Sequence, residues 1–150
     1  MSSGNNRPRL DSHGNLEIYR GTYYSAYCVK PIVTHDGINV RFRKDEFAHI
    51  VQESSKRDGE KDTFSIQRAE RLSWIKIALQ DPKLKFIAGW DRNKKKYDHG
   101  SRVTVMIDDF VVVIRLKSAT EASFVTCYVA DSIRTKDKLR TAPEWQNPYI

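Results

Sequence analysis

Two hydrophobic periods divide the chain. Between residues 44 and 80 apolar residues recur every three or four positions, as on amphipathic helices; after Pro82 they alternate with polar ones, as on half-buried strands. In Lys44–Ser55, Phe47, Ile50 and Val51 share one face, and Asp45 and Glu46 suit the first turn of a helix. A charged loop, SSKRDGEKD at 54–62, separates it from a second helix, TFSIQRAERLSWIKIAL at 63–79, which Asp62 or Thr63 can cap and which Pro82 ends. Strands are expected at Leu84–Trp90, Arg102–Ile107, Phe110–Lys117 and Phe124–Ala130. Between them lie a basic loop (DRNKKKYDHG), a tight turn at Asp108–Asp109 and the turn SATEAS.

The ends of the chain carry less pattern. Residues 1–14 are polar, with glycine and proline, and read as a mobile arm. Tyrosine-rich Leu16–Tyr27 reads as strand pieces. Val33–Phe42 reads as a short hairpin, or as a strand after the HDG turn. The tail 131–150 is mixed: a basic piece, RTKDKLR, then APEWQNPYI. Helices followed by a run of strands predict one α+β domain over residues 15–150. Two helices pack on one face of an antiparallel sheet of about four strands, with an extra N-terminal β region. The opposite face stays partly open to a ligand.

Charge changes the picture. The formal net charge is +7 and the isoelectric point about 9.5, which makes a polyanion the expected partner: nucleic acid first, a membrane surface second. Solvated basic faces of any protein give the same balance. The two cysteines, Cys28 and Cys127, form no CxxC pair and read as packed, reduced thiols; with a polar start and no long apolar run, a cytoplasmic protein is expected. No HExxH motif or Cys/His cluster argues for a metal, no cofactor is expected, and the lack of a glycine-rich phosphate loop argues against an NTPase.

Candidate chemistry starts in the long helix. Arg68 falls in the same sector as Leu72, Ile75 and Leu79, with Arg71 on its border. A guanidinium there either finds an internal carboxylate such as Asp108 or Asp109, or clamps a phosphate in a cleft. In ASFVTCYVAD, strict alternation puts Phe124, Thr126 and Tyr128 on one side and Val125, Cys127 and Val129 on the other, so Thr126 and Tyr128 offer two hydroxyls on the open face. Arg115 and Lys117 alternate with Ile114 and Leu116 and either join them or form a solvated face. The stretch Arg92–Tyr97, including Lys95, interleaves basic and aromatic residues just after Trp90, which suits backbone contact and base stacking. Of the histidines, His13 lies in the arm and His35 and His99 in turns. His49, off the apolar face of the first helix, is either a surface residue or a general acid or base.

From Phe42 to Val129 the chain resembles the barnase–EndoU–colicin–RelE-like nucleases, particularly phage-associated toxin-like members. The stretches that carry the likeness are FSIQRAERLSWIKIALQDP, FVVVIRLK and ASFVTCYV. The resemblance implies helices on a curved antiparallel sheet and a metal-independent ribonuclease, toxin-like or phage-linked, acting on tRNA or ribosome-bound RNA by 2′-hydroxyl attack. His49 would be the general base or acid. Arg68 and Arg71, assisted by Lys117, would hold the phosphate, and Thr126 and Tyr128 would bind substrate. The sequence departs from the family in having no His or Glu on the Val111–Lys117 or Phe124–Ala130 strands. A binding-only nucleic-acid module and a protein-interaction module, with a protein inhibitor or partner, are the alternatives.

Overall fold

The computed structural model describes residues 8–12, 14–53, 63–91 and 93–149. The charged loop at 54–62 and most of the expected arm, residues 1–7 and 13, lie outside them.

The first element corrects the sequence reading. Leu16–Tyr23 is a helix, α1, continued by a π-helical turn at Tyr24–Cys28. Asn15 caps it, its side chain accepting from the Ile18 amide at 3.0 Å. Tyr19, Tyr23 and Tyr27 are good strand formers, but their spacing of four puts all three on the buried face. Each phenol finds an acceptor: Tyr19 donates to the Asp11 carbonyl at 2.9 Å, Tyr23 to Arg43 at 2.6 Å and Tyr27 to Leu72 at 2.6 Å. Burial, the largest effect on each, pushes the Tyr23 and Tyr27 phenols above their usual range, which keeps them donors.

A short hairpin follows, β1 (Ile32–Val33) and β2 (Asn39–Arg41), turned through Gly37 at φ 89°. A 3-10 turn at Lys44–Glu46 leads into α2 (Phe47–Val51), shorter than the expected helix. The two-residue ladder β3 (Gln52–Glu53) and β4 (Thr63–Phe64) precedes α3 (Ile66–Ala69) and α4 (Leu72–Gln80). Then come β5 (Ile87–Asp91), β6 (Lys96–Ile107), β7 (Phe110–Leu116), β8 (Glu121–Val129) and α5 (Ile133–Arg140).

The helix expected at 63–79 is broken at Glu70–Arg71, because the N-terminal segment inserts there. The Asp11 amide donates to the Glu70 carbonyl at 2.6 Å, and its carboxylate accepts from the Ser73 amide at 2.8 Å, capping α4 in place of a local residue. The Trp74 indole donates to the Arg9 carbonyl at 3.0 Å. Residues 9–11 of the expected arm are therefore tied to the domain.

The α+β class holds, with more strands than four and a mixed pairing. The main sheet has six strands in the order β1-β2-β8-β7-β6-β5. Every pair is antiparallel except β2 and β8, where Asn39, Val40 and Arg41 run parallel to Glu121, Ala122 and Ser123. One face packs Val103, Val105, Val112 and Ile114 against Ile50, Trp74, Ile75 and Leu79 of the helices, forming the core. On the opposite face a smaller cluster centres on Val111, Val113 and Ala130, with Leu139 of α5 against it. Beyond β5 the tail forms a bridge, Ile87 to Glu144, and Trp145 is buried beside Phe86. Among the described residues no helix is long and apolar enough to cross a membrane.

Candidate functional site

The face opposite the main helices carries a groove. Its floor is β5 to β8 and its wall is α5, which Leu139 anchors on the small apolar cluster. The cavity is about 860 Å³ and is lined by Arg102, Arg115, Arg134 and Lys138, by Trp90, Tyr97 and Tyr128, and by Thr104, Thr126 and Asp98, among others. Its volume is that of a site enclosing a small ligand or a short stretch of an extended polymer, roughly 300–1,000 Å³.

Two irregularities of the sheet build this surface. On β8, Thr126 pairs with Val113 but Phe124 with Ile114, so Val125 is an extra, unpaired residue. The bulge resets the alternation. Phe124 and Cys127 both enter the helix-side core, while Thr126 and Tyr128 line the groove. Strict alternation was therefore wrong at Phe124, which leaves Thr126 and Tyr128 for the core, and at Val125, which leaves Cys127 and Val129 for the small cluster on the groove side.

The second irregularity lies between β5 and β6. Ala88 pairs with Val103 and Gly89 with Asp98, so residues 99–102 are accommodated between two consecutive positions of β5. The Asp98 carboxylate ties this excursion, accepting from the Gly100 amide at 2.8 Å, the Ser101 amide at 3.3 Å and the Ser101 hydroxyl at 3.4 Å. Burial pushes the Asp98 pKa up, but those hydrogen bonds and nearby Arg102 outweigh it, and the net shift is downward. The carboxylate's stabilising effect is thus fully present above its ordinary pKa of about 3.9 and lost as pH falls through the depressed value. Hydrogen exchange is expected to show Gly100 and Ser101 amides protected near neutrality and deprotected only under more acidic conditions. Unchanged relative protection down to acid unfolding would refute the tie.

Gly89 makes room for Arg102. A Cβ at Gly89 would come within 2.3 Å of Arg102 Cγ and 2.5 Å of Cδ, near the root of the side chain rather than its mobile end. Gly89→Ala is expected to cost about 1–3 kcal/mol through overpacking and to push Arg102 off the groove floor. Adding Arg102→Ala should recover most of that stability in thermal melts. A single variant as stable as the parent would show that the contact yields freely.

Arg102 stands directly across the strand pair from Arg115. Like charges in such positions repel. Among the described residues neither Arg115 nor Arg134 has an ion-pair partner. Lys138 lies over the Trp90 ring at 4.5 Å, and Tyr97 meets that ring edge-on at 5.2 Å and 82°.

The candidates read from sequence divide between the two faces of the sheet. Trp90, Arg115, Thr126 and Tyr128 come together in the groove. Lys117 lies past the end of β7 at the β7–β8 turn, and Lys95 sits in the β5–β6 turn at φ 52°; neither lines the cavity. Arg68, Arg71 and His49 are on the helical side. His49 is an exposed residue of α2, a helix held to the core face of β8 where Cys127 Sγ meets the Ile50 carbonyl at 3.8 Å. Arg68 donates to the backbone carbonyls of Gln52 at 2.9 Å and His49 at 3.4 Å. Arg71, not Arg68, is the buried one. It donates to the Gln67 carbonyl at 2.7 Å, meets Glu70 at 3.2 Å and Asp109 at 3.6 Å, and lies over the Trp74 ring at 5.0 Å. The buried guanidinium is thus matched by internal carboxylates.

Sequence reading missed Arg102, Thr104, Arg134 and Lys138. Two signals pointed to them. Arg102 and Thr104 share one parity along β6, and Arg134 and Lys138 are four apart after Ser132, which caps α5 by accepting from the Thr135 amide at 3.1 Å. The two cysteines are thiols not joined in a disulfide, Cys127 in the core and Cys28 half-buried. Among the described residues no cluster of His, Cys, Asp or Glu could hold a metal ion. Comparison with protein-family models, curated proteins and solved structures gives no match to this chain.

Proposed function

We propose that this protein binds RNA along the groove between α5 and the four strands β5 to β8. The observation that carries the reading is the cross-strand juxtaposition of Arg102 and Arg115, with Arg134 and Lys138 on the facing helix. Arg102 faces the Asp98 carboxylate, but Arg115 across from it has no ion-pair partner among the described residues, so an anion between the two guanidiniums relieves their repulsion, and a phosphate matches their fork geometry. Hydroxyls of Thr104, Thr126, Tyr97 and Tyr128 add neutral donors along the same floor, and Trp90 adds an aromatic surface. Charge, hydroxyls and aromatics interleaved in one groove are what a polynucleotide backbone and its bases require.

The test is an anisotropy titration with a labelled oligoribonucleotide over a range of salt. Four cations each meeting a phosphate give a slope of log K against log salt of about −3, at about −0.7 per single-strand phosphate. Arg115→Ala with Arg134→Ala is expected to flatten the slope by about 1.4 units on the same scale. Affinity that does not fall with salt, or a double variant that binds like the parent, would sink the proposal.

Cleavage in the same groove is the second reading, and it is the activity that the nuclease-like resemblance implies. It is favoured by Arg115, Thr126 and Tyr128 lying together, a guanidinium for developing charge beside two hydroxyls for the phosphate. Asp98 is the one carboxylate among the described lining residues, and its lowered pKa makes it a weak base for the 2′-hydroxyl. Metal-free products ending in 2′,3′-cyclic phosphate, lost with Arg115→Ala, would favour this reading over binding alone.

A further inference from the structure

Trp90 is the exposed member of the three tryptophans. Trp74 and Trp145 are in the core, at 0% and 6% exposure, whereas Trp90 on β5 is 39% exposed on the floor of the cavity. An indole left open to water is a poor use of a large apolar surface unless something covers it. Its orientation is nonetheless fixed. Tyr97, its cross-strand partner, packs edge-on against it at 5.2 Å. What lies over its ring is the Lys138 ammonium, 4.5 Å from the centroid and otherwise exposed.

We infer that Trp90 is a base-stacking platform, that Lys138 covers it in the free protein, and that the ligand is therefore single-stranded. This rests on the reading of the groove as an RNA site. A solvated ammonium over an indole is a weaker contact than a stacked nucleobase, so the base displaces it. The displaced ammonium stays tethered to α5, beside Arg134 in the same groove wall, where it meets the phosphate of the stacked nucleotide. The two positions of Lys138 couple base recognition to phosphate recognition at one nucleotide. A duplex keeps its bases stacked on one another and offers no free face to Trp90.

Tryptophan fluorescence reports the stacking, because Trp90 is the indole a ligand reaches from solvent, and competition against a labelled oligoribonucleotide followed by anisotropy gives the affinity of each probe for parent and variants. Three probes of equal length are titrated into the full chain: a single-stranded oligoribonucleotide, its duplex, and an abasic strand that keeps the phosphates. The single strand is expected to quench emission and to bind about tenfold more tightly than the abasic strand or the duplex. Trp90→Ala should reduce that preference to near unity, and Trp90→Phe should retain most of it. Equal binding of single-stranded and abasic probes to the parent, or a preference unmoved by Trp90→Ala, overturns the platform. In that case the groove reading survives if Arg115→Ala still weakens both probes. Binding of none of the three overturns the groove reading and the platform with it. If Trp90→Ala does not fold, the parent's quenching and its single-strand preference decide.

Discussion

Arg71→Ala is expected to lower stability by about 3 kcal/mol and, if the groove binds RNA as proposed, to leave that affinity unchanged in the folded fraction. Removing one partner of a buried ion pair strands the other, which typically costs about 3–5 kcal/mol. The low end applies here, because Glu70 and Asp109 keep 26% and 24% of their side-chain surface in water and can be partly resolvated. The contact is also imperfect. Arg71 Nε and Asp109 Oδ1 face each other at 3.6 Å, too far for a hydrogen bond, and each is a buried atom without a hydrogen-bond partner among the described residues. A double replacement, Arg71→Met with Asp109→Asn, should therefore recover much of the loss, since it removes two charges that are costly to bury. Denaturant melts of the three variants measure both effects. An Arg71→Ala protein with normal stability and lost RNA affinity would return this arginine to a ligand site, against its place on the helical side of the sheet.

Trp145→Ala is the other large effect, expected at about 3–5 kcal/mol for emptying a buried tryptophan site. For a chain of this size that lowers the melting temperature by roughly 6–20 °C, at about 2–4 °C per kcal/mol. Trp145 holds more than its own volume. Its amide donates to the Phe86 carbonyl at 2.9 Å, and its indole donates to the Gly100 carbonyl at 3.3 Å. Gly100 belongs to the excursion that Asp98 ties from the other side and that ends in Arg102. Losing the indole should loosen Arg102, so the variant's salt dependence of binding should also flatten. Trp145→Phe keeps most of the packing and loses the indole hydrogen bond, at about 1 kcal/mol. An alanine variant that melts within a few degrees of the parent would show that the tail does not brace the sheet.

What could be read from the sequence follows the locality of the forces. The cores of the four strands were legible because alternation along Arg102–Ile107 and Phe110–Lys117 is a property of neighbouring residues, but Lys96–Gly100 of β6 and Glu121–Ser123 of β8 were read as loop and turn. The groove was half legible for the same reason: Arg115, Thr126, Tyr128 and Trp90 lie on the face opposite the helices. The failures came from distant partners or lost register. The break at Glu70–Arg71 is set by Asp11, about sixty residues earlier, so Arg68 and Arg71 could not be placed by helical phase alone. The bulge at Val125 moved Phe124 to the other face of β8. The tyrosine run at 19–27 was misread because residue type was weighed over its spacing of four. Helix α5 was missed because one apolar residue, Leu139, suffices to dock it, leaving no stripe to detect.

The parallel pairing of β2 with β8 has a consequence for how the chain reaches this state. Asn39 donates to Glu121 across 82 residues, and besides β8 the one strand partner of β2 among the described residues is the two-residue β1. A nascent chain that has emerged only as far as α4 has no sheet for the tyrosine face of α1 or for Val40 to close upon. Loop closure over such a distance is slow compared with hairpin formation. The β5-to-β8 meander, whose partners are adjacent in sequence, is the part able to form first, with the N-terminal third docking onto it afterwards. Until β8 is synthesised, Ile32, Ile38 and Val40 have no completed core, and that interval is when the chain is most open to aggregation or to capture by a chaperone.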